Sequence, residues 1–188
     1  MRVSDIHRGF VFRSAKSVRP VPVANPLVHH HLIQLTLDRN TTAIDWLEIA
    51  TATQGLGGVH AVAWRRDVGH VQLIGIRPPA LELSALRDAA VVQGFAIETI
   101  APHEILAEPR CSAARAVWSL RNRRVDPSMR IAMLTALAEG PMSLDELCTR
   151  VSGPPDPVAA IASLACSGAI HLDLSNSFGP HTPIWSNA

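Results

Sequence analysis

Residues 143–174 read SLDELCTRVSGPPDPVAAIASLACSGAIHLDL, and this pattern predicts the fold of the C-terminal part of the chain. Ser143 followed three residues later by Glu146 is a capping box, which predicts the start of a helix. Gly153-Pro154-Pro155 ends that helix, because neither residue type continues a helix well. Asp156 then caps a further apolar helix, and the last six residues of the stretch alternate as in a strand.

Two segments outside this stretch complete the same pattern. Residues 127–138 predict a helix before it, and residues 181–186 predict a strand after it. Three helices followed by a two-stranded hairpin is the order of a winged-helix domain, which we expect at residues 126–188. The side chains predicted to face the inside of the first of these helices are Ile131, Leu134 and Ala138.

The first 125 residues follow a different pattern, in which short strand-like runs alternate with helices. The predicted elements are an extended segment at 10–18, a helix at 27–37, strands at 43–51, 59–65 and 71–76, a helix at 80–93, a strand at 95–100, and helices at 102–107 and 110–124. This order predicts an α/β domain over residues 1–125.

Composition excludes several classes of protein. Of the 188 residues, 47% are hydrophobic and 18% are charged, which is enough apolar material for a core and argues against global disorder. No apolar run reaches the roughly 20 residues of a membrane helix, and the first ten residues lack the apolar stretch of a secretory signal. Cys111, Cys148 and Cys166 are scattered, so we expect reduced packing thiols in a cytoplasmic protein.

The charged residues are unevenly distributed along the chain. Residues 110–130 contain six arginines and one acidic residue, whereas only Arg150 opposes five acidic residues after position 131. Such an arginine-rich segment predicts contacts with DNA phosphates. The arginines assigned to this role are Arg110, Arg115, Arg121, Arg123 and Arg124. By contrast, residues 156–167, where a winged helix would place its DNA-reading helix, contain no lysine or arginine, which favours protein docking for this domain.

Several short motifs, taken in order, resemble the TnsA-type heteromeric transposase endonucleases. They are Leu86-Arg87-Asp88-Ala89-Ala90, Gly94-Phe95, Glu104-Ile105, Glu108-Pro109-Arg110, Ala113-Ala114-Arg115 and Trp118, followed by Gly140-Pro141 to Leu147 and Pro180-His181-Thr182. The resemblance covers about residues 80–186. It implies a restriction-endonuclease-like mixed-sheet core followed by a winged-helix domain, and transposition partners such as an AAA+ regulator or a transposase.

The resemblance also implies a magnesium site, and the matching positions here lack its carboxylates. The family's first-helix glutamate corresponds to Gln34, its strand aspartate to Val62, and its Glu-x-Lys pair to Gly75 and Arg77. Magnesium requires oxygen ligands, and arginine stays protonated and offers no lone pair. We therefore expect an inactive nuclease fold with no catalytic residue and no metal cofactor, in which Arg77 contacts DNA together with Arg124.

Two alternatives remain open at this stage. One is an active magnesium-dependent nuclease with relocated acids, either Glu48, Asp67 or Glu82, or a rebuilt site of Asp45, Glu48 and His60. The other is an accessory or regulatory DNA-binding protein without a link to transposition. A metal site at His29-His30-His31 is disfavoured, because consecutive helical residues point about 100° apart. We expect these histidines to be exposed or partly buried.

Overall fold

The computed structural model describes residues 10–23, 25–45, 62–65, 70–74, 88, 96–151 and 156–187, with the backbone alone at 62–65, 70–74, 96, 97 and 99. The chain forms two compact units. The first takes in the chain up to Leu35 and from Asn40 to Leu106, and the second takes in Thr36–Arg39 and the chain from Ala107 onward.

The first unit combines one long helix with paired strands. Its elements are β1 (Val11–Phe12), β2 (Val21–Pro22), α1 (Pro26–Leu37, whose last two residues group with the second unit), β3 (Thr41–Asp45), β4 (Val62–Arg65), β5 (His70–Ile74), β6 (Ala96–Ile100) and α2 (Pro102–Ile105). The pairs β1–β2 and β3–β4 are antiparallel, β5–β6 is parallel, and β4 contacts β5. Antiparallel and parallel pairing therefore occur together, and the predicted α/β class is confirmed.

Helix α1 forms where the sequence predicts it. Pro26 stands at its first position, where a fixed φ suits a helix, and the side chain of Asn25 accepts a hydrogen bond from Val28 N at 3.0 Å. Residues 31–37 are all buried, so the helix is enclosed on every side over its second half. Such burial agrees with its mostly apolar sequence.

The second unit contains four helices of seven to twelve residues and a three-stranded antiparallel sheet in the order β7-β9-β8. Its elements are α3 (Arg110–Ser119), α4 (Pro127–Ala138), β7 (Met142–Ser143), α5 (Leu144–Arg150), α6 (Pro157–Cys166), β8 (Ile170–Leu172) and β9 (Pro183–Ser186). Both predicted caps are confirmed. Ser143 and Glu146 exchange hydrogen bonds at 2.7 and 3.3 Å, and Asp156 accepts from Val158 N at 3.0 Å.

The division between the units falls before α3, nearer the N terminus than the expected boundary at residue 125. Helix α3 packs against α6, and the Cys166 thiol lies 3.8 Å from the Val117 carbonyl oxygen. Burial raises the pKa of Cys166 to about 12, so this thiol stays protonated, as expected of a packing residue. Cys111 is also buried, whereas Cys148 is partly exposed.

The helix predicted over residues 110–124 is shorter than expected. It ends at Ser119, and Leu120 leaves the helical region with φ −98° and ψ 2°. Two tighter bonds close the end, from Leu120 N to the Val117 carbonyl and from Arg121 N to the Trp118 carbonyl. Arg123 N then donates to the Leu120 carbonyl, so residues 121–124 form a turn that leads away from α3 toward Pro127, the first residue of α4.

The prediction for the buried face of α4 is wrong. Ile131 is 65% exposed and Ala138 is exposed, whereas the buried residues are Met129, Met133, Ala136 and Leu137. Both sets recur at helical spacing in an almost wholly apolar segment. Periodicity alone cannot choose between them, and packing on α5 and β9 decides.

The N terminus of α4 allows a test of local stability. Asp126 accepts hydrogen bonds from Ser128 Oγ, Ser128 N and Met129 N, and these bonds lower the pKa of its carboxyl, the Ser128 hydroxyl contributing most. We expect Asp126→Ala to lower the thermal midpoint by about 4 °C at neutral pH, measured by circular dichroism.

The pH dependence of the thermal midpoint of Asp126→Ala is the control for this prediction. A lowered folded-state pKa stabilises the protein above the ordinary aspartate pKa, and this contribution is lost as the pH falls through the folded value. The deficit of Asp126→Ala should therefore shrink in acid. Asp126→Asn keeps the acceptor oxygen and should remain close to the wild type. An equal loss in both variants at every pH would contradict the cap.

Some predictions lie outside the described residues. The helix expected at 80–93 is one of them, although Asp88, its described member, is helical. Most of the strand expected at 43–51 lies there too. Among the described helices, none has the length and apolar character needed to cross a membrane.

Candidate functional site

Gln34, which the resemblance aligns with the family's first-helix glutamate, makes a structural contact. Its side chain is 4% exposed, and Nε2 donates a 2.7 Å hydrogen bond to the carbonyl oxygen of Ile105. This bond joins α1 to the end of α2 within the first unit. The other amide atom, Oε1, is buried and has no hydrogen-bond partner among the described residues. The neutral amide thus serves the core, and it carries no charge to attract a cation.

The other positions of the expected site are only partly described. Val62 begins β4 and pairs with Asp45 across the antiparallel ladder. Gly75 and Arg77 lie outside the described residues, as do Glu48, His60, Asp67 and Glu82 of the relocated sites. A neighbour of Val62 therefore carries a carboxylate, although Val62 itself has no ligand atom in its side chain.

The Asp45 carboxylate is already engaged by a cation. Arg19 Nε lies 2.6 Å from Asp45 Oδ1, and the Asp45 side chain is only 18% exposed. A metal ion at this carboxylate would have to compete with the guanidinium of Arg19. In the described parts of the chain, no three His, Cys, Asp or Glu residues are grouped so that they could hold a metal ion.

The three consecutive histidines of α1 have different surroundings. The ring of His29 stands edge-on to Phe10 and Phe12, with centroid distances of 5.1 and 5.9 Å. His31 is 1% exposed, so the expectation that all three are exposed or partly buried is wrong for this residue. It is buried because α1 is enclosed on every side in its second half.

The arginine-rich segment is an exposed surface of the second unit. Arg110 and Arg115 lie on α3, and Arg121, Arg123 and Arg124 lie in the turn that follows it; all five are exposed. None of them belongs to an ion pair within the described regions. Arg150 differs, because it pairs with Glu139. Unpaired guanidinium groups are available to bind phosphate oxygens.

Arg115 has a weak electrostatic relation to an acid. Hydrogen bonds from the side chain and the backbone of Ser112 hold the pKa of Glu108 below its ordinary value, and the charge of Arg115 makes a smaller contribution. The carboxylate of Glu108 partly offsets the positive charge at this end of α3. The turn, by comparison, carries Arg121, Arg123 and Arg124, three exposed arginines within four residues.

Arg121 has a structural role in addition to its charge. Its guanidinium carbon lies 4.8 Å from the centre of the Trp118 ring, and Nη1 donates to the Trp118 carbonyl at 3.1 Å. A cation at the C-terminal end of a helix is favoured by the helix dipole. Trp118 itself is buried. Arg123 and Arg124 have no such bond among the described contacts.

Helix α6 corresponds to the DNA-reading helix of the winged-helix domain that the sequence predicts, and it is enclosed. Residues 159–166 are all buried, and α3, α5 and β8 pack against the helix. Its lack of cations in the sequence agrees with this position. A helix that is buried over eight consecutive residues has no face with which to enter a DNA groove.

One residue near this surface was missed by sequence reasoning. Ser163 of α6 lies 3.1 Å from the Arg121 carbonyl oxygen and 2.9 Å from the Arg123 carbonyl oxygen, measured from Oγ. A lone serine among the apolar residues of α6 was a visible signal. Its partners, about forty positions earlier, were not visible in the sequence.

Comparison with known proteins gives no assignment: no protein-family model matches this chain, and no curated protein sequence matches it significantly. Function is therefore inferred from the residues and their contacts.

Proposed function

We propose that this protein is a catalytically inactive TnsA-like subunit that contacts DNA phosphates and docks onto other transposition proteins. In this proposal the first unit has a restriction-endonuclease-like core, and the second is a winged-helix-type domain that begins after α3. The chain order supports both assignments. In the first unit, α1 is followed by the antiparallel pair β3–β4 and the parallel pair β5–β6. In the second unit, α4, α5 and α6, with the short strand β7 between α4 and α5, precede the paired strands β8 and β9.

The observation that carries the proposal is the exposed turn with Arg121, Arg123 and Arg124, none of which has a carboxylate partner in the described regions. Exposed arginines supply salt-sensitive affinity for phosphates without reading bases. Because α6 is enclosed, sequence-specific reading by this helix is not part of the proposal. Arg110 and Arg115 extend the positive surface along α3.

The inactive state is supported by the use of Gln34 as a core amide and by the pairing of Asp45 with Arg19. In this proposal no residue is catalytic and no metal is required. The docking partners, an AAA+ regulator or a transposase, rest on the resemblance. Genes for an integrase-type transposase and an ATPase beside the gene for this protein would favour these docking partners. A gene without such neighbours would favour an accessory DNA-binding protein.

A plasmid-nicking assay tests the inactive state. We expect the purified chain to leave supercoiled plasmid intact in Mg²⁺ and in Mn²⁺, because the first-helix position offers an amide. A restriction enzyme in the same buffers serves as the positive control.

The second candidate, a nuclease with relocated acids, is favoured by the pairing of Asp45 with Val62 across the ladder. It predicts metal-dependent nicking that Asp45→Asn abolishes. Nicking of this kind would overturn the inactive state. Nicking that survives in Asp45→Asn but is lost in Glu48→Gln, Asp67→Asn or Glu82→Gln would assign the site to those acids. Nicking that survives in all four variants would indicate a contaminating nuclease.

A further inference from the structure

Ser163 is the one hydroxyl-bearing residue among the buried positions of α6. A serine inside a helix commonly bonds to a carbonyl of its own preceding turn. Here the hydroxyl instead reaches the carbonyl oxygens of Arg121 and Arg123, at 3.1 and 2.9 Å. A hydroxyl carries one proton, so these two oxygens share a single donor.

The two carbonyl oxygens belong to the turn that displays the arginines. Both face α6, whereas the side chains of Arg121, Arg123 and Arg124 are exposed. Three other bonds hold the same turn. Arg123 N donates to the Leu120 carbonyl at 3.0 Å, and Arg121 donates to the Trp118 carbonyl from its backbone N at 3.2 Å and from Nη1 at 3.1 Å. Among the described contacts, the Ser163 bond is the hydrogen bond that joins the turn to another helix.

We propose that Ser163 is a positioning residue that holds the turn at residues 121–124 in its phosphate-contacting conformation. The proposal rests on the proposed function, since it takes these arginines as the DNA contacts. Ser163 itself does not touch DNA, because it is buried. It acts by keeping the backbone ordered before binding, so that less conformational freedom is lost on the DNA.

The experiment compares Ser163→Ala with Ser167→Ala in the full-length chain. Ser167 lies one turn further along, at the exposed C-terminal end of α6. Its hydroxyl donates to the Leu164 carbonyl of the same helix, and no bond from this hydroxyl to the turn is found among the described contacts, so Ser167→Ala controls for the loss of a serine hydroxyl. Binding to a short duplex DNA of arbitrary sequence is measured by fluorescence anisotropy at several NaCl concentrations. Hydrogen exchange of residues 120–125 is measured without DNA.

We expect Ser163→Ala to speed exchange in the turn and to weaken duplex binding by about three- to tenfold, while Ser167→Ala changes neither. Ser163→Cys keeps a weak donor of similar size, so its exchange rate and its duplex affinity should lie between those of the wild type and Ser163→Ala. It also serves if the alanine variant fails to fold. A role limited to stability would not move binding at a temperature where both proteins are fully folded.

The outcomes separate the two proposals. If the wild type binds no duplex, DNA contact itself is refuted, and the positioning role is lost with it. If the wild type binds and Ser163→Ala binds equally well with unchanged exchange, the positioning role alone is refuted. Faster exchange with unchanged binding also refutes it, because the order of the turn would then not matter for DNA.

Discussion

Gln34→Glu is expected to destabilise the first unit by about 2–4 kcal/mol at neutral pH without producing a nuclease. The change is nearly isosteric, but it removes the donor that satisfies the Ile105 carbonyl oxygen and places a carboxylate at a position that is 4% exposed. Cleavage should remain absent, because Val62, Gly75 and Arg77 still lack the other carboxylates.

The effect of Gln34→Glu should depend on pH in a defined direction. Burial raises the pKa of a carboxyl group above its unfolded value of about 4.3. The destabilisation caused by Gln34→Glu is therefore small below about pH 4.3, where the protonated acid can still donate to the Ile105 carbonyl. It grows as the pH rises toward the folded-state pKa. Hydrogen exchange of α1 amides between pH 4 and pH 8 measures it, since two units can unfold separately.

Gln34→Met is the matched control for this charge effect. It removes the same donor and fills a similar volume, but it introduces no titratable group. We expect a loss of about 1–3 kcal/mol that does not vary with pH. If the glutamate variant is as stable as the wild type and cuts plasmid in Mg²⁺, position 34 belongs to a metal site whose other ligands are present, and the expectation that Val62, Gly75 and Arg77 leave the site without carboxylates is wrong.

Arg123→Gln combined with Arg124→Gln is the second change with a large expected effect. Duplex affinity should fall on the order of a hundredfold at low salt, and the slope of log affinity against log salt should become shallower by about 2. These two side chains are exposed and have no bond among the described contacts, so the fold should be unaffected. Anisotropy titrations and thermal melts measure the two quantities.

Arg150→Gln is the control for loss of charge alone. Arg150 is exposed and already pairs with Glu139, outside the turn, and such surface pairs contribute little to stability. We expect its DNA affinity to stay within about twofold of the wild type. Equal losses in the double variant and in Arg150→Gln would show that net charge, and not the turn, governs binding.

Arg121 separates the structural from the electrostatic role of the turn. Its guanidinium stacks on Trp118 and bonds to the last turn of α3, so Arg121→Gln should lower both stability and affinity. The sequence predicts the same phosphate-binding role for Arg121, Arg123 and Arg124. In the structure Arg121 differs from the other two, because its side chain also contacts Trp118.

Much of the fold was predictable because it depends on neighbours in sequence. The caps at Ser143 and Asp156, the helix predicted at 27–37 and the three helices and two strands predicted after residue 126 follow from local hydrogen bonds and short-range periodicity. The short strand β7 and its pairing with β9 were not predicted, because that pairing joins residues about forty positions apart. The exposed arginines were also visible, since charge follows directly from composition.

The sequence alone determined which segments form helices and strands, and that the first-helix position carries an amide. Tertiary structure decided that α3 ends at Ser119, that Met133 and not Ile131 faces the core, and that Ser163 bonds to carbonyls some forty residues away. The packing of α6 against α3 was also decided by tertiary structure. These features depend on contacts between residues far apart in the chain, and no local pattern contains the free energy of such contacts.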